Sequence, residues 1–200
     1  MIFAVVPANG TSTRMGRPKL ILPLGDSTVI ERVVTTLRAG GVDTVLVIAG
    51  PHVPELAPLA TKAGAYVLSL PNFTNDMRTT VEKGLDYLEE QFQPGSDDPW
   101  LLSPADHPVF SPDTVRQLLA AAVNPSQSIL TPVNAGRRGH PTLLRWRHVG
   151  ALRSLPIGTG FNTYLRLHPD EICDVEVSDP GVLMNLTTPE DYERLRLLSL

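Results

Sequence analysis

Residues 5–19 read VVPANGTSTRMGRPK, a run of small and hydroxylated residues in which cations recur at Arg14, Arg17 and Lys19. A short apolar strand over residues 2–6 runs straight into it. Small side chains let backbone N–H groups close on an anion, and fixed cations neutralise it. Ala8, Asn9, Gly10, Thr11 and Ser12, with Arg14 and Lys19, therefore read as a cradle for the phosphates of a nucleotide. Neither common phosphate loop is present. Gly16 is followed by Arg17-Pro18-Lys19, not by the Gly-Lys-Ser/Thr of a Walker A loop, and Gly10 has Ser12 two positions on, not a second glycine. Pro18 argues against a helix opening directly after the glycines.

Two further segments carry oxygen ligands. Residues 103–108 read SPADHP. Magnesium takes oxygen donors and prefers a carboxylate plus substrate phosphates and water, which suits Asp106 on a proline-flanked turn. A plain turn-capping aspartate has the same signature. Asn185, in NLTTPED, offers a weaker amide oxygen or simply a turn residue before a helix. Residues 137–141 read RRGHP. Two arginines suit a second phosphate, and a β-turn with solvated arginines and a packed histidine suits the pattern as well. A phosphate monoester acceptor, with its second ionisation near pH ~6, is already anionic and needs no general base. An alcohol acceptor would need one, with His140 and His107 as the candidates.

The elements that must position these residues alternate. Residues 45–49, 66–68, 100–102 and 129–130 are apolar runs of the kind buried in a parallel sheet. Between them, Val29, Ile30, Val33, Val34 and Leu37 recur at helical spacing before Gly40-Gly41, and Val81, Leu85, Leu88 and Phe92 share a face over residues 77–92. Ser111-Pro112 and Thr188-Pro189 each read as a cap with proline in the first turn. The pattern predicts a single α/β domain over residues 1–200, with a three-layer, Rossmann-like, mostly parallel sheet and ligands beyond the strand C-termini. Residues 93–99 read as a surface turn. Residues 135–160, rich in glycine, read as excursions around a site at one edge of the sheet.

Composition sets the limits. The 200 residues are 42% hydrophobic and 19% charged, enough for one full core, and the net charge of −4 speaks against a general nucleic-acid binder. Cys173, the single cysteine, has no partner for an internal disulfide and reads as a small buried side chain in a strand. No apolar run reaches the length of a membrane span and no basic leader precedes the first strand, so a cytoplasmic protein is expected.

The loop, with Gly10, Ser12, Arg14, Met15, Gly16 and Lys19, resembles the signature of the MobA-like NTP transferases, closest to molybdenum cofactor cytidylyltransferase and its guanylyl relatives. The resemblance extends to PADHP against P-A/V-D-x-P, to RGHP, to TPED, and to residues 72–80, where Phe73 stands for Trp and Thr80 for Ser. It implies an Mg-dependent nucleotidyltransferase that moves a nucleoside monophosphate from an NTP, CTP favoured, to a phosphorylated acceptor such as molybdopterin-type cofactor. Arg14, Lys19 and Asp106 would be catalytic. Thr80, Pro104 and Ala105 would join the loop in holding nucleotide. Arg138, Gly139, His140 and Pro141 would face the acceptor, and Asp106 with Asn185 would hold the metal. Asn9, Asp76 and Thr187 depart from the family pattern, and residues 155–162 lack a clear G-D-x-G-x-R element. The departures at Asn9, Asp76 and Thr187 motivate the alternative of a nucleotide-binding accessory protein for a molybdenum enzyme that does not turn over. Sugar phosphates and alcohol phosphates are further acceptor classes.

Overall fold

The computed structural model describes residues 1–124, 127–156 and 158–198. In chain order the elements are β1 (Phe3–Ala8), the hairpin β2 (Pro23–Leu24) and β3 (Ser27–Thr28), α1 (Val29–Ala39), β4 (Thr44–Ala49), α2 (Leu56–Lys62), β5 (Tyr66–Ser69), α3 (Met77–Phe92), β6 (Pro99–Leu102), α4 (Pro112–Ala121), β7 (Ile129–Asn134), β8 (Arg137–Arg138), β9 (Thr142–Arg145), α5 (Val149–Arg153), α6 (Phe161–Leu167), β10 (Ile172–Glu176) and α7 (Pro189–Leu197). The main sheet runs β10-β7-β9-β6-β1-β4-β5, with β8 paired to β7.

Successive side chains of a strand point to opposite faces, and β1 shows how this builds three layers. Ala4, Val6 and Ala8 pack with Val29, Val33 and Leu37 of α1, Leu56 of α2, Val115 of α4 and Leu195 of α7. Phe3 and Val5 pack on the other face with Val81, Leu85 and Leu88 of α3, Leu152 of α5 and Tyr164 of α6. The expected three-layer α/β architecture is therefore present.

Two helix starts follow the residues read as caps, Ser111 and Thr188, and the start of α1 is capped by Thr28, which carried no such reading. Thr28 forms a reciprocal capping box with Glu31, and Ser111 accepts from the Thr114 amide ahead of Pro112. Thr188 and Asp191 form a second box that starts α7 and orients the chain leaving the site. Thr188→Ala should cost about 1 kcal/mol, a fall in Tm of about 2–4 °C for a chain of this size, read by thermal unfolding.

Two expectations are corrected. Residues 135–160 do not simply decorate an edge: β9 lies inside the sheet, antiparallel to both β6 and β7. Its residues are buried, because a strand flanked on both sides and covered by helices has no solvent face. Cys173 is only half-buried, because β10 is the outermost strand on its side. Residues 93–99 do form a surface turn, closed by the Gly95 amide on the Asp98 carboxylate at 2.9 Å.

This topology positions the site. Strands β1, β4, β5, β6, β7 and β10 run parallel. β9 enters from the edge at which the others end. The segments after β1, β4 and β6 and the segment before β9 thus meet at one edge of the sheet.

Candidate active site

A pocket of about 290 Å³ opens at that edge, lined by Pro7, Ala8, Asn9, Gly10, Lys19, Leu20, Thr74, Asp76, Met77, Thr80, Pro104, Ala105 and Asp106. Small-molecule sites start near ~300 Å³, so the cavity is of the size that takes one small organic group.

Ser12 sits at φ 54°, a left-handed conformation unfavourable for serine, and its carbonyl accepts the amides of Met15 at 3.0 Å and Gly16 at 3.1 Å. Its Oγ accepts the Lys19 amide at 3.4 Å, folding the loop back on itself. Among the described residues, the amides of Gly10, Thr11 and Ser12 donate to no protein acceptor. Successive free amides in a turn form an anion-binding concavity. His52, after β4, lies with Nε2 2.7 Å from the Gly10 carbonyl oxygen, and its ring lies 4.9 Å from that of Phe73. With Nε2 protonated it holds that carbonyl in place.

Lys19 is the hub. Its Nζ donates to Asp106 Oδ2 at 2.7 Å and to the Leu186 carbonyl at 2.8 Å. The Leu186 amide in turn donates to the Asp106 carbonyl at 2.7 Å. This brings the loop, the PADHP turn and the NLTTPED segment together; Asn185, next in the chain to Leu186, is exposed and donates from Nδ2 to Thr187 Oγ1 at 3.2 Å. Two oxygens converging on one cation fit a hard divalent ion. No group of three or more His, Cys, Asp or Glu side chains among the described residues forms a protein cage for a metal. One or two protein oxygens completed by phosphate and water is the arrangement magnesium favours.

The inner end of the pocket is polar. Asn9, 8% exposed, donates from Nδ2 to Thr74 Oγ1 at 3.1 Å, and Thr74 and Thr80 share a short hydroxyl contact. Asn9 Oδ1 is buried without a partner. Gly50 allows this placement, since a Cβ there would come 2.0 Å from Asn9 Oδ1. Asp76 caps α3, and the Thr79 amide at 2.7 Å holds its carboxyl below the usual range.

His107 and His140 stack edge-on with centroids 4.8 Å apart, next to Asp106. The His140–Pro141 peptide is cis. Each ring has a buried Nδ1 without a partner. Burial pushes His107 down from its usual value, with Lys19 adding to the effect and Asp106 opposing it. Burial first, and then His107, push His140 down to about 4. The unfolded chain therefore binds more protons than the folded one between pH ~6.5 and ~4, and stability should decrease as pH is lowered across that window. The loss from His140 reaches about 2–3 kcal/mol at the acid end. His140→Gln should flatten the profile, as denaturant unfolding at stepped pH will show.

Of the residues singled out from sequence, Ala8, Asn9, Gly10, Lys19, Thr80, Pro104, Ala105 and Asp106 line the pocket. Thr11, Ser12 and Arg14 lie outside it on the loop. Arg14 is not fixed: it is exposed and makes no ion pair or hydrogen bond among the described residues. Arg17 lies over the Tyr192 ring, 5.4 Å from its centroid. Arg138 is engaged elsewhere, donating to Asp174 at 2.7 and 3.0 Å. Gly139 and Pro141 flank His140, whose ring meets that of His107, and none of the three is among the residues that line the pocket. Thr74, Met77 and Leu20 had not been singled out. Thr74 and Met77 lie within residues 72–80, a segment that carries part of the family resemblance, whereas His52 carried no signal beyond its place after an apolar strand.

The chain is similar to several known proteins. A phosphoenolpyruvate guanylyltransferase of Rubrobacter xylanophilus is 32% identical over 208 residues, covering 97% of this chain and 93% of that protein. A nicotine blue oxidoreductase of Paenarthrobacter nicotinovorans is 25% identical over 201 residues, covering 97% and 96%. A bifunctional IPC transferase and DIPP synthase of Rubrobacter xylanophilus is 31% identical over 124 residues, but the match spans 59% of this chain and only 26% of that longer protein. Among solved structures, a nucleotidyl transferase from Methanothermobacter thermautotroptrophicus superposes with TM-score 0.79 at 26% identity, covering 99% and 97% of the two chains. The Rv0371c protein of Mycobacterium tuberculosis, solved also as a manganese complex (TM-score 0.77, 23% identity, 98% of each chain), shares the fold. The family model described as the MobA-like NTP transferase domain matches residues 4–172, and the chain belongs to that family of nucleotidyltransferases.

Proposed function

We propose that this protein transfers a nucleoside monophosphate from an NTP to a phosphorylated small molecule, releasing pyrophosphate. The observation that carries the reading is the junction of Lys19, Asp106 and the Leu186 carbonyl beside the free amides of Gly10, Thr11 and Ser12. Those amides and the loop cations hold the β- and γ-phosphates, where negative charge grows as the bond to the α-phosphorus breaks. Preorganised donors at that position supply most of the catalysis in phosphoryl chemistry. Magnesium bound at Asp106, with Asn185 as a second oxygen, would neutralise phosphate charge. The manganese complex of the mycobacterial neighbour is in keeping with a divalent ion on this fold. The relative named as acting on phosphoenolpyruvate supports a phosphorylated acceptor. The family resemblance suggests a molybdopterin-type acceptor and a molybdenum-enzyme partner, and the lone Cys173 suits a reducing cytoplasm.

CTP is the favoured donor, because Asn9 takes room beside Thr74 that a purine would use. Asn9→Ala should narrow the preference for CTP over GTP on the order of tenfold, read by competitive binding, since a polar wall group sets the discrimination. The decisive assay is pyrophosphate release with each NTP, Mg²⁺ and a panel of phosphorylated acceptors. Release dependent on acceptor supports the proposal. Tight NTP binding with no release for any acceptor supports the accessory-protein reading, which the departures at Asn9, Asp76 and Thr187 favour. A second enzymatic reading comes from the full-length relative named an oxidoreductase. It predicts turnover of a reducible substrate without pyrophosphate.

A further inference from the structure

We infer that the Lys19 ammonium occupies the seat of the divalent cation in the nucleotide-free protein and leaves it when polyphosphate binds, so that metal and nucleotide load together. The inference rests on the reading of Asp106 as the metal ligand. Asp106 Oδ2 and the Leu186 carbonyl oxygen stand 2.7 and 2.8 Å from Lys19 Nζ. Two oxygens from segments far apart in sequence thus converge on one positive charge, and both are the hard donors a divalent ion takes. The seat is stiff, because the Leu186 amide ties the two segments together through the Asp106 carbonyl at 2.7 Å.

The occupant is less constrained. Ser12 Oγ holds the Lys19 amide at 3.4 Å, while the ammonium sits on a flexible four-carbon stem. The loop that anchors it also carries the free amides of Gly10, Thr11 and Ser12. A phosphate held there offers Lys19 a second anion within the reach of its own stem. An ammonium and a divalent cation repel each other at contact distance, so they compete for Asp106 Oδ2. Without phosphate the metal must displace Lys19 from its partner. With phosphate, Lys19 transfers to the phosphate oxygens and Asp106 is released to the metal. Reciprocity requires that the metal then tighten nucleotide binding by the same factor.

The test is Mn²⁺ titration of the nucleotide-free protein, followed by the EPR signal of the free ion, with circular dichroism to verify folding. Lys19→Met should bind Mn²⁺ about tenfold more tightly than wild type, within the usual range of site coupling. Lys19→Gln, which keeps a neutral donor toward Asp106 and Leu186, should show the same gain and covers the case in which Met disturbs the loop. Asp106→Asn should weaken binding in both backgrounds. If neither Lys19 variant gains affinity while Asp106→Asn loses it, this inference is overturned and the Asp106 reading stands. Equal Mn²⁺ binding by wild type and Asp106→Asn overturns both.

Discussion

Asp106→Asn should lower kcat by about 10²–10³-fold, the usual loss when one preorganised electrostatic group is removed from a transition state. The substitution keeps size and shape and removes the charge. Its effect on folding should be small. The Lys19–Asp106 pair is part-exposed, at 16% and 28% of the two side chains, so solvent screening limits its worth to about 1 kcal/mol. The backbone bond from the Leu186 amide to the Asp106 carbonyl does not depend on the carboxylate. Steady-state kinetics and a melting curve on one preparation separate the two effects. A variant with wild-type kcat would remove Asp106 from the chemistry. A variant that loses turnover and fold together would make it a structural residue.

Gly139→Ala should destabilise the protein by about 1–3 kcal/mol, the cost of forcing an extra carbon into a filled space. A Cβ at Gly139 would lie 2.3 Å from the Val182 carbonyl oxygen and 2.7 Å from its carbon. Both obstacles are backbone, so no side chain can rotate away. The contact also matters locally. The Gly139 amide donates to the Pro132 carbonyl at 2.8 Å and the His140 amide to the Val182 carbonyl at 2.9 Å, which fixes the approach of His140 to His107. Denaturant unfolding should show a lower midpoint with an unchanged slope. An unchanged midpoint would show that the chain yields here more easily than its packing implies.

The sequence made the scaffold legible where physical signals were local. The run at residues 45–49 is buried throughout in β4, and the caps at Ser111 and Thr188 start helices as their side chains suggest. Helix α2 was not legible because Pro58 lies inside its seven residues. β9 was hidden by its brevity, as TLLR carries no period of its own and gains its place by pairing with strands far away in the chain.

The site divides in the same way. Gly10, Lys19 and Asp106 were visible because loop composition and proline-flanked turns are local features. The partners of those residues were not. His52 reaches Gly10 across 42 positions, and Arg138 finds Asp174 across 36 because β8 and β10 flank β7. Two adjacent arginines suggested a phosphate site, yet the carboxylate that takes one of them belongs to an edge strand that no spacing rule connects to it.

The central claim is that the 10–19 loop grips polyphosphate while Asp106 faces it across the cleft. A crystal structure with a non-hydrolysable CTP analogue and Mg²⁺ tests this most directly. The phosphates should lie against the amides of Gly10, Thr11 and Ser12, with Lys19 on a phosphate oxygen and the ion on Asp106. A nucleotide bound elsewhere, or one whose phosphates point away from the loop with Lys19 still on Asp106, would contradict the account.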